Sequence, residues 1–197
     1  MLYGNIGNNL LNGEGGADTM IGGAGDDAYF VDDPGDLVLE NMSEGTDAVF
    51  STVSYALSAN VETLVLQGSG NVDGTGNGLA NQVYGNAGDN ALDGGAGSDQ
   101  LNGGAGHDTL TGGTGDDIFV FSSGQADGDT VVDFSGNGPG AGDSLLFTGF
   151  GTAAQGASLT RIGASNQWQI HSGLGGPDEN ITFMNGATID PSDVVFM

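Results

Sequence analysis

The sequence contains no cysteine. That excludes a disulfide framework, thiol catalysis and thiolate metal sites, so a domain of modest core must be stapled in another way. Basic residues are almost missing: Arg161 stands against 26 Asp and Glu, for a formal net charge of −25. A chain this acidic repels nucleic acid and anionic membranes. Its own charges oppose compaction unless cations neutralise them. Aromatic residues make up 7% and apolar residues 37% of 197 positions, a thin supply for one elongated domain or two small ones. No apolar run reaches membrane-spanning length, so membrane insertion is not expected. Met1-Leu2-Tyr3-Gly4 leads straight into glycine-rich sequence, so an export address, if there is one, is expected elsewhere.

What the chain has in abundance is glycine, 40 residues with no three-residue period, which excludes collagen. The period is nine. Gly85 to Val120 divides without a gap into GNAGDNALD, GGAGSDQLN, GGAGHDTLT and GGTGDDIFV. Glycine holds positions one and four; Asn90, Asp99, Asp108 and Asp117 hold position six; Leu92, Leu101, Leu110 and Phe119 hold position eight. A shorter array opens the chain, GNIGNNLLN, GEGGADTMI and GGAGDDAYF from Gly4, with Asn9, Asp18 and Asp27 at position six. Gly76–Tyr84 is a degenerate lead-in with Asn81 in register.

The spacing carries a structure. Six residues turn the chain, with glycine supplying conformations that a Cβ forbids. Three form a short strand whose sixth and eighth positions face inward and whose seventh faces out. Two nonapeptides make one coil, so turns stack 18 residues apart. That places Asp99 near Asp117, Asn90 near Asp108 and Asn9 near Asp27. Facing carboxylates a few Å apart repel by roughly 4 kcal/mol at a surface-like effective dielectric. A hard divalent cation reverses the sign. Ca²⁺ takes carboxylate and carbonyl oxygens, Mg²⁺ demands a tighter octahedron and retains water, and Zn²⁺ prefers His or Cys; Ca²⁺ fits best.

These nonapeptides resemble the GGxGxDxUx signature of hemolysin-type, repeats-in-toxin proteins. The resemblance implies an all-β fold: a parallel β-roll, or right-handed β-solenoid, with several Ca²⁺ ions between its turns and a C-terminal β cap. It also implies the ligands. Asp99 and Asp117 would act with carbonyls among Gly95, Gly97, Gly113 and Gly115. Asp108 and Asn90 would act with Gly104 and Gly106 on the other edge, and Asp18 and Asp27 with Gly23 and Gly25 in the first array. Asn at 9, 81 and 90 departs from the signature, so those sites are expected to be weak or absent. Asp36 follows Asp18 by 18 residues and would complete a site there.

Four segments follow: a first array over 1–30, irregular spacer coils over 31–75, a second array with its exit loop over 76–143, and a cap over 144–197. Short apolar strands are expected at Tyr29–Val31, Leu37–Leu39, Ala48–Phe50, Val53–Tyr55 and Leu64–Leu66; a loop-rich linker between two rolls is the alternative. The exit sequence after Val120 resembles serralysin-type C-terminal domains, which makes Asp127, Asp129, Asp133 and Asp143 candidate ligands for capping calcium, the rival being a solvated acidic loop. Cap strands are expected at Ser144–Thr148, Ser158–Ile162, Gln167–His171, Ile181–Met184 and Asp193–Phe196. The terminal Asp193-Val194-Val195-Phe196-Met197 resembles the uncleaved address of type I secretion substrates, and it also suits a final cap strand.

The functional expectation is a secreted, extracellular calcium-binding module handled by type I secretion machinery, without catalysis. His107 sits at an outward turn position, His171 alternates with Gln169 on a strand, opposite the Trp168 and Ile170 face, no serine sits in a strained elbow with a His partner, and HExxH is absent. A polysaccharide-binding module using Trp168, Tyr3 and Tyr84, or a surface-layer or adhesin segment on a cell surface, remains the alternative.

Overall fold

The computed structural model describes residues 1–136 and 140–197. The chain winds as a flattened parallel β-solenoid. One face is a nine-stranded sheet in the order Leu10–Asn12, Ala28–Val31, Ala48–Ser51, Thr63–Leu66, Gln82–Tyr84, Gln100–Asn102, Ile118–Ser122, Ser144–Thr148 and Val194–Phe196. The opposite face begins as a three-stranded sheet, Leu2–Tyr3, Thr19–Ile21 and Leu37–Val38. It resumes as Tyr55–Ala56, Gly74–Thr75, Ala91–Asp93, Thr109–Thr111, Thr130–Val131 and Glu179–Phe183. Gln167–His171 and Ser158–Arg161 then add to that sheet in antiparallel fashion.

Both arrays and the spacer therefore share one unbroken sheet. The spacer strands pair in parallel with their array neighbours, Ala28 with Ala48 and Thr63 with Gln82. The strand expected at Val53–Tyr55 forms at Tyr55–Ala56. Two strands expected in the cap are solenoid strands: Ser144–Thr148 pairs in parallel with Ile118–Ser122, and Val194–Phe196 with Ser144–Thr148. The antiparallel strands 158–161 and 167–171, with 179–183, close the end of the second face.

The core is one side chain thick. Leu11, Tyr29, Val49, Leu64, Val83, Leu101, Phe119 and Leu145 meet Met20, Val38, Leu92, Leu110, Val131 and Phe183 in one continuous buried cluster. Each such side chain contributes about 1.5–3 kcal/mol by burial, and nothing lies behind it. The C-terminal end is heavier. Phe147 stacks on Phe121 at 5.4 Å and on Phe196 at 4.9 Å, while Phe134 meets Phe183 edge-on at 5.4 Å. These rings add apolar contact at the last coils, where the stack of repeats ends.

The glycines set how closely coils stack. At Gly115, with φ +143°, an added Cβ would lie 1.7 Å from the Gly97 carbonyl oxygen of the coil before. Gly7 has φ +124° at the same repeat position, with nothing within 4 Å of its added Cβ. Both positions disfavour an L side chain, by about 1–3 kcal/mol, but only Gly115 also forbids the stack. Gly115→Ala is expected to lower the melting temperature of the calcium-loaded chain several times more than Gly7→Ala. Equal shifts in a thermal melt would show that turn stacking does not limit stability.

Candidate metal centre

The acidic side chains form two ladders along the edges of the solenoid. On the edge entering the nine-stranded sheet, each acidic side chain at the position before the strand accepts a hydrogen bond from the backbone amide of its counterpart one coil earlier. Asp27 Oδ1 accepts from Asn9 at 2.6 Å, Asp47 Oδ1 from Asp27 at 2.8 Å, and Glu62 Oε2 from Asp47 at 2.8 Å. Asp99 Oδ1 accepts from Asn81 at 2.7 Å, Asp117 Oδ1 from Asp99 at 2.8 Å, and Asp143 Oδ1 from Asp117 at 3.0 Å. On the other edge Asp36 accepts from Asp18 at 2.9 Å, Asp108 from Asn90 at 2.8 Å, and Asp129 from Asp108 at 2.9 Å. Each bond fixes one carboxylate oxygen; of the second oxygens, Asp36 Oδ2 accepts the Asp32 and Asp33 amides and Asp143 Oδ2 the Ser135 amide.

Three of those second oxygens have no partner despite burial: Asp27 Oδ2, Asp99 Oδ2 and Asp108 Oδ2. Such a group costs several kcal/mol unless something positive meets it. Burial pushes the carboxyls of Asp108 and Asp117 up to about 6, aided by Asp89 for the first and by Asp143, Asp99 and Asp133 for the second. Asp129 is pushed up to about 7 by burial and by Asp108, Glu179 and Asp127; Asp99 and Asp143 move in the same direction. The position-one glycines make room for these oxygens: a Cβ at Gly94, Gly103 or Gly112 would fall 2.5, 2.2 or 2.4 Å from Oδ2 of Asp99, Asp108 or Asp117. Gly23, Gly25, Gly95, Gly97, Gly104, Gly106, Gly113 and Gly115 all take positive φ, which turns the peptide planes around them. Orphaned carboxylate oxygens in glycine-lined gaps fit Ca²⁺.

The asparagines behave differently. Asn90 Nδ2 donates to the Val72 carbonyl at 2.7 Å and Asn81 Nδ2 to the Val61 carbonyl at 3.0 Å. Asn77 Nδ2 bridges the carbonyls of Ser58 and Val61, and Asn86 Nδ2 those of Gln67 and Gly70. In these turns a side-chain amide NH₂ gathers backbone carbonyl oxygens, where the other turns present a carboxylate. Asn9 lacks such a bond to an earlier coil and holds the Asn5 amide through Oδ1.

Of the exit-loop acids, Asp129 and Asp143 join the ladders. Asp133 instead accepts from Gly112 and Gly113, both at 2.9 Å. Asp127 stands outside the ladders, exposed, accepting from the Asn180 backbone at 3.0 Å. Sequence reasoning missed Asp47 and Glu62, whose coil steps are 20 and 15 residues rather than 18. It missed Glu179 as well, a buried residue whose two oxygens accept the amides of Gly124 and Ala126. It also missed a hydroxyl–imidazole–carboxylate chain: Thr160 Oγ1 lies 2.9 Å from His171 Nε2, and His171 Nδ1 lies 3.0 Å from Asp178 Oδ2. That chain faces away from a cleft of about 250 Å³ lined by Leu159, Trp168, Asp190 and Phe196.

A parallel β-solenoid with stacked carboxylates in glycine turns is a β-roll of the calcium-binding kind. The family described as the RTX calcium-binding nonapeptide repeat (4 copies) matches residues 1–31, 75–110 and 93–131, so the chain carries repeats-in-toxin nonapeptides in both arrays. Two relatives from Rhizobium meliloti (strain 1021) are similar over part of it. An endo-1,3-1,4-beta-glycanase, ExsH, is 38% identical over 88 residues, and a second, EglC, is 37% identical over 86. The alignments cover 44% and 43% of this chain but only 19% and 18% of those relatives. Among solved structures, the extracellular lipase LipA from Serratia marcescens aligns with 98% of this chain and 39% of its own, at a TM-score of 0.36 and 19% identity.

Proposed function

We propose that this chain is a calcium-folded, non-catalytic β-roll module of a secreted bacterial protein, whose folding is withheld until it meets extracellular calcium. The observation that carries the reading is the set of buried, unpartnered carboxylate oxygens on Asp27, Asp99 and Asp108. Bound Ca²⁺ supplies the positive charge that these turns lack. The chain's own residues do the rest: position-six carboxylates point into the gaps, the glycines keep the gaps open, and the amide ladder holds successive turns in register. Ordered coils then template their neighbours.

The non-catalytic reading is supported by the same geometry. The carboxylates are committed to the turns, and the Thr160–His171–Asp178 chain turns its hydroxyl to solvent on the face opposite the cleft. The name of the glycanase relatives supports a second reading, a glycan-contacting module, with half-buried Trp168 in the cleft as the stacking surface.

Export is proposed to run through a type I system, C-terminus first. Val194–Phe196 is then both address and last strand, since Phe196 stacks on Phe147 and Asp193 is buried beside the exit loop. Deleting residues 193–197 should abolish export and lower the calcium-dependent melting temperature. Normal export of the deletion removes the address from the proposal. Wild-type chain that binds no calcium removes the whole reading.

A further inference from the structure

Asp27, Glu40 and Asp47 each bring a carboxylate oxygen within 4.8 Å of the others, the one such trio among the described residues. Glu40 and Asp47 lie in the spacer, outside the matched repeats. Val38 pairs with Met20, so Glu40, two residues on, stands in register with Gly22. A Cβ at Gly22 would fall 2.0 Å from Asp27 Oδ2 and 2.3 Å from the Tyr29 hydroxyl. A side chain at this register position is thus aimed at the inner side of the ladder, and here it is a carboxylate. Glu40 Oε1 accepts from the Tyr29 hydroxyl, which itself accepts the Gly22 amide at 2.8 Å. Asp27 Oδ2 and Glu40 Oε2 have no partner, although Asp27 is 2% and Glu40 9% exposed.

We propose that Asp27, Glu40 and Asp47, with the Tyr29 hydroxyl on the inner side, form a calcium site that joins the first array to the spacer. The donors are all hard oxygens. Ca²⁺ takes such oxygens in flexible geometry, whereas Mg²⁺ demands a near-ideal octahedron and keeps several waters, so a set of carboxylates drawn from three separate coil positions suits the larger ion. Three carboxylates facing one another with two orphaned oxygens need a cation more than any Asn-plugged turn does. The site lies where the nine-residue phase ends and the coil step lengthens to 20 residues. An ion here would hold the first irregular coil against the last regular one. The inference takes its ion and Asp27 from the function proposed above; Glu40, Asp47 and the Tyr29 hydroxyl are outside the residues on which that reading rests.

The test is calcium stoichiometry of the full chain by native mass spectrometry at saturating calcium, with circular dichroism to confirm folding. Glu40→Gln should bind one ion fewer than wild type. Asp117→Asn, in the second array, reports on the repeat sites independently. Unchanged stoichiometry in folded Glu40→Gln overturns the proposal while leaving the repeat sites standing; a wild-type chain that binds no calcium overturns both. Should Glu40→Gln fail to fold, Tyr29→Phe keeps the core filled. It should lower tyrosine-sensitised terbium emission relative to wild type, and unchanged emission overturns the proposal.

Discussion

Adding a calcium chelator to the purified chain should convert its β-type circular dichroism spectrum to that of an unfolded chain, and restoring calcium should reverse the change. Two observations set the size of the effect. The net charge is −25, and much of it is stacked along two edges rather than dispersed, with the carboxylates of Asp99, Asp108, Asp117 and Asp129 nearly removed from solvent. The core that opposes this repulsion is one side chain thick. A site at tenfold saturation adds only about 1.4 kcal/mol, and extracellular modules bind at about 10⁻⁴–10⁻³ M. Stabilisation must therefore sum over several sites, and the titration should be steep and cooperative, because each coil contacts only its neighbours. A β-type spectrum unchanged by chelator would show that the core alone suffices.

The nine-residue phase made the arrays readable from sequence, because one period fixes turn, strand, inward side chain and ladder partner together. Asp99 and Asp117, or Asn90 and Asp108, could be paired by counting 18 residues. Counting fails where the coils change length. Asp47, Glu62 and Asp143 belong to the same ladder as Asp27 and Asp117, yet they follow their partners by 20, 15 and 26 residues. Only the parallel register of the strands after them, such as Ala28 with Ala48, reveals the relation. Glu40 was hidden differently: it fills a glycine position, so a search for the repeat reads it as noise. The terminal Asp193-Val194-Val195-Phe196 was legible as a strand. Its place as the ninth strand of the main sheet was not, since 45 residues of antiparallel cap and loop separate it from Ser144–Thr148.

Lowering the pH should partly restore order to the calcium-free chain while weakening its calcium binding. The sign follows from the direction of the shifts. Burial is the largest cause in each case, and it pushes Asp47, Asp108 and Asp117 up to about 6, Asp129 up to about 7 and Glu40 up to about 8, from ordinary values of 3.8 for Asp and 4.5 for Glu. A carboxyl raised by folding favours the folded state when protonated. Its contribution is fully present below its unfolded value and is lost as the pH rises through its folded value. For these groups that window runs from about 4 to about 8, and the amide bonds from the preceding coil oppose the shift without reversing it. At pH 5 the metal-free chain should therefore show more β-structure than at pH 8, because protons neutralise part of what calcium otherwise neutralises. In calcium the dependence inverts: protons compete for the same oxygens, so the calcium midpoint should rise as the pH falls. Circular dichroism against pH with chelator, and calcium titrations at pH 5 and pH 8, measure both halves. A metal-free chain equally unfolded at the two values, with a calcium midpoint independent of pH, would mean that the stacked carboxylates are not what keeps the chain open.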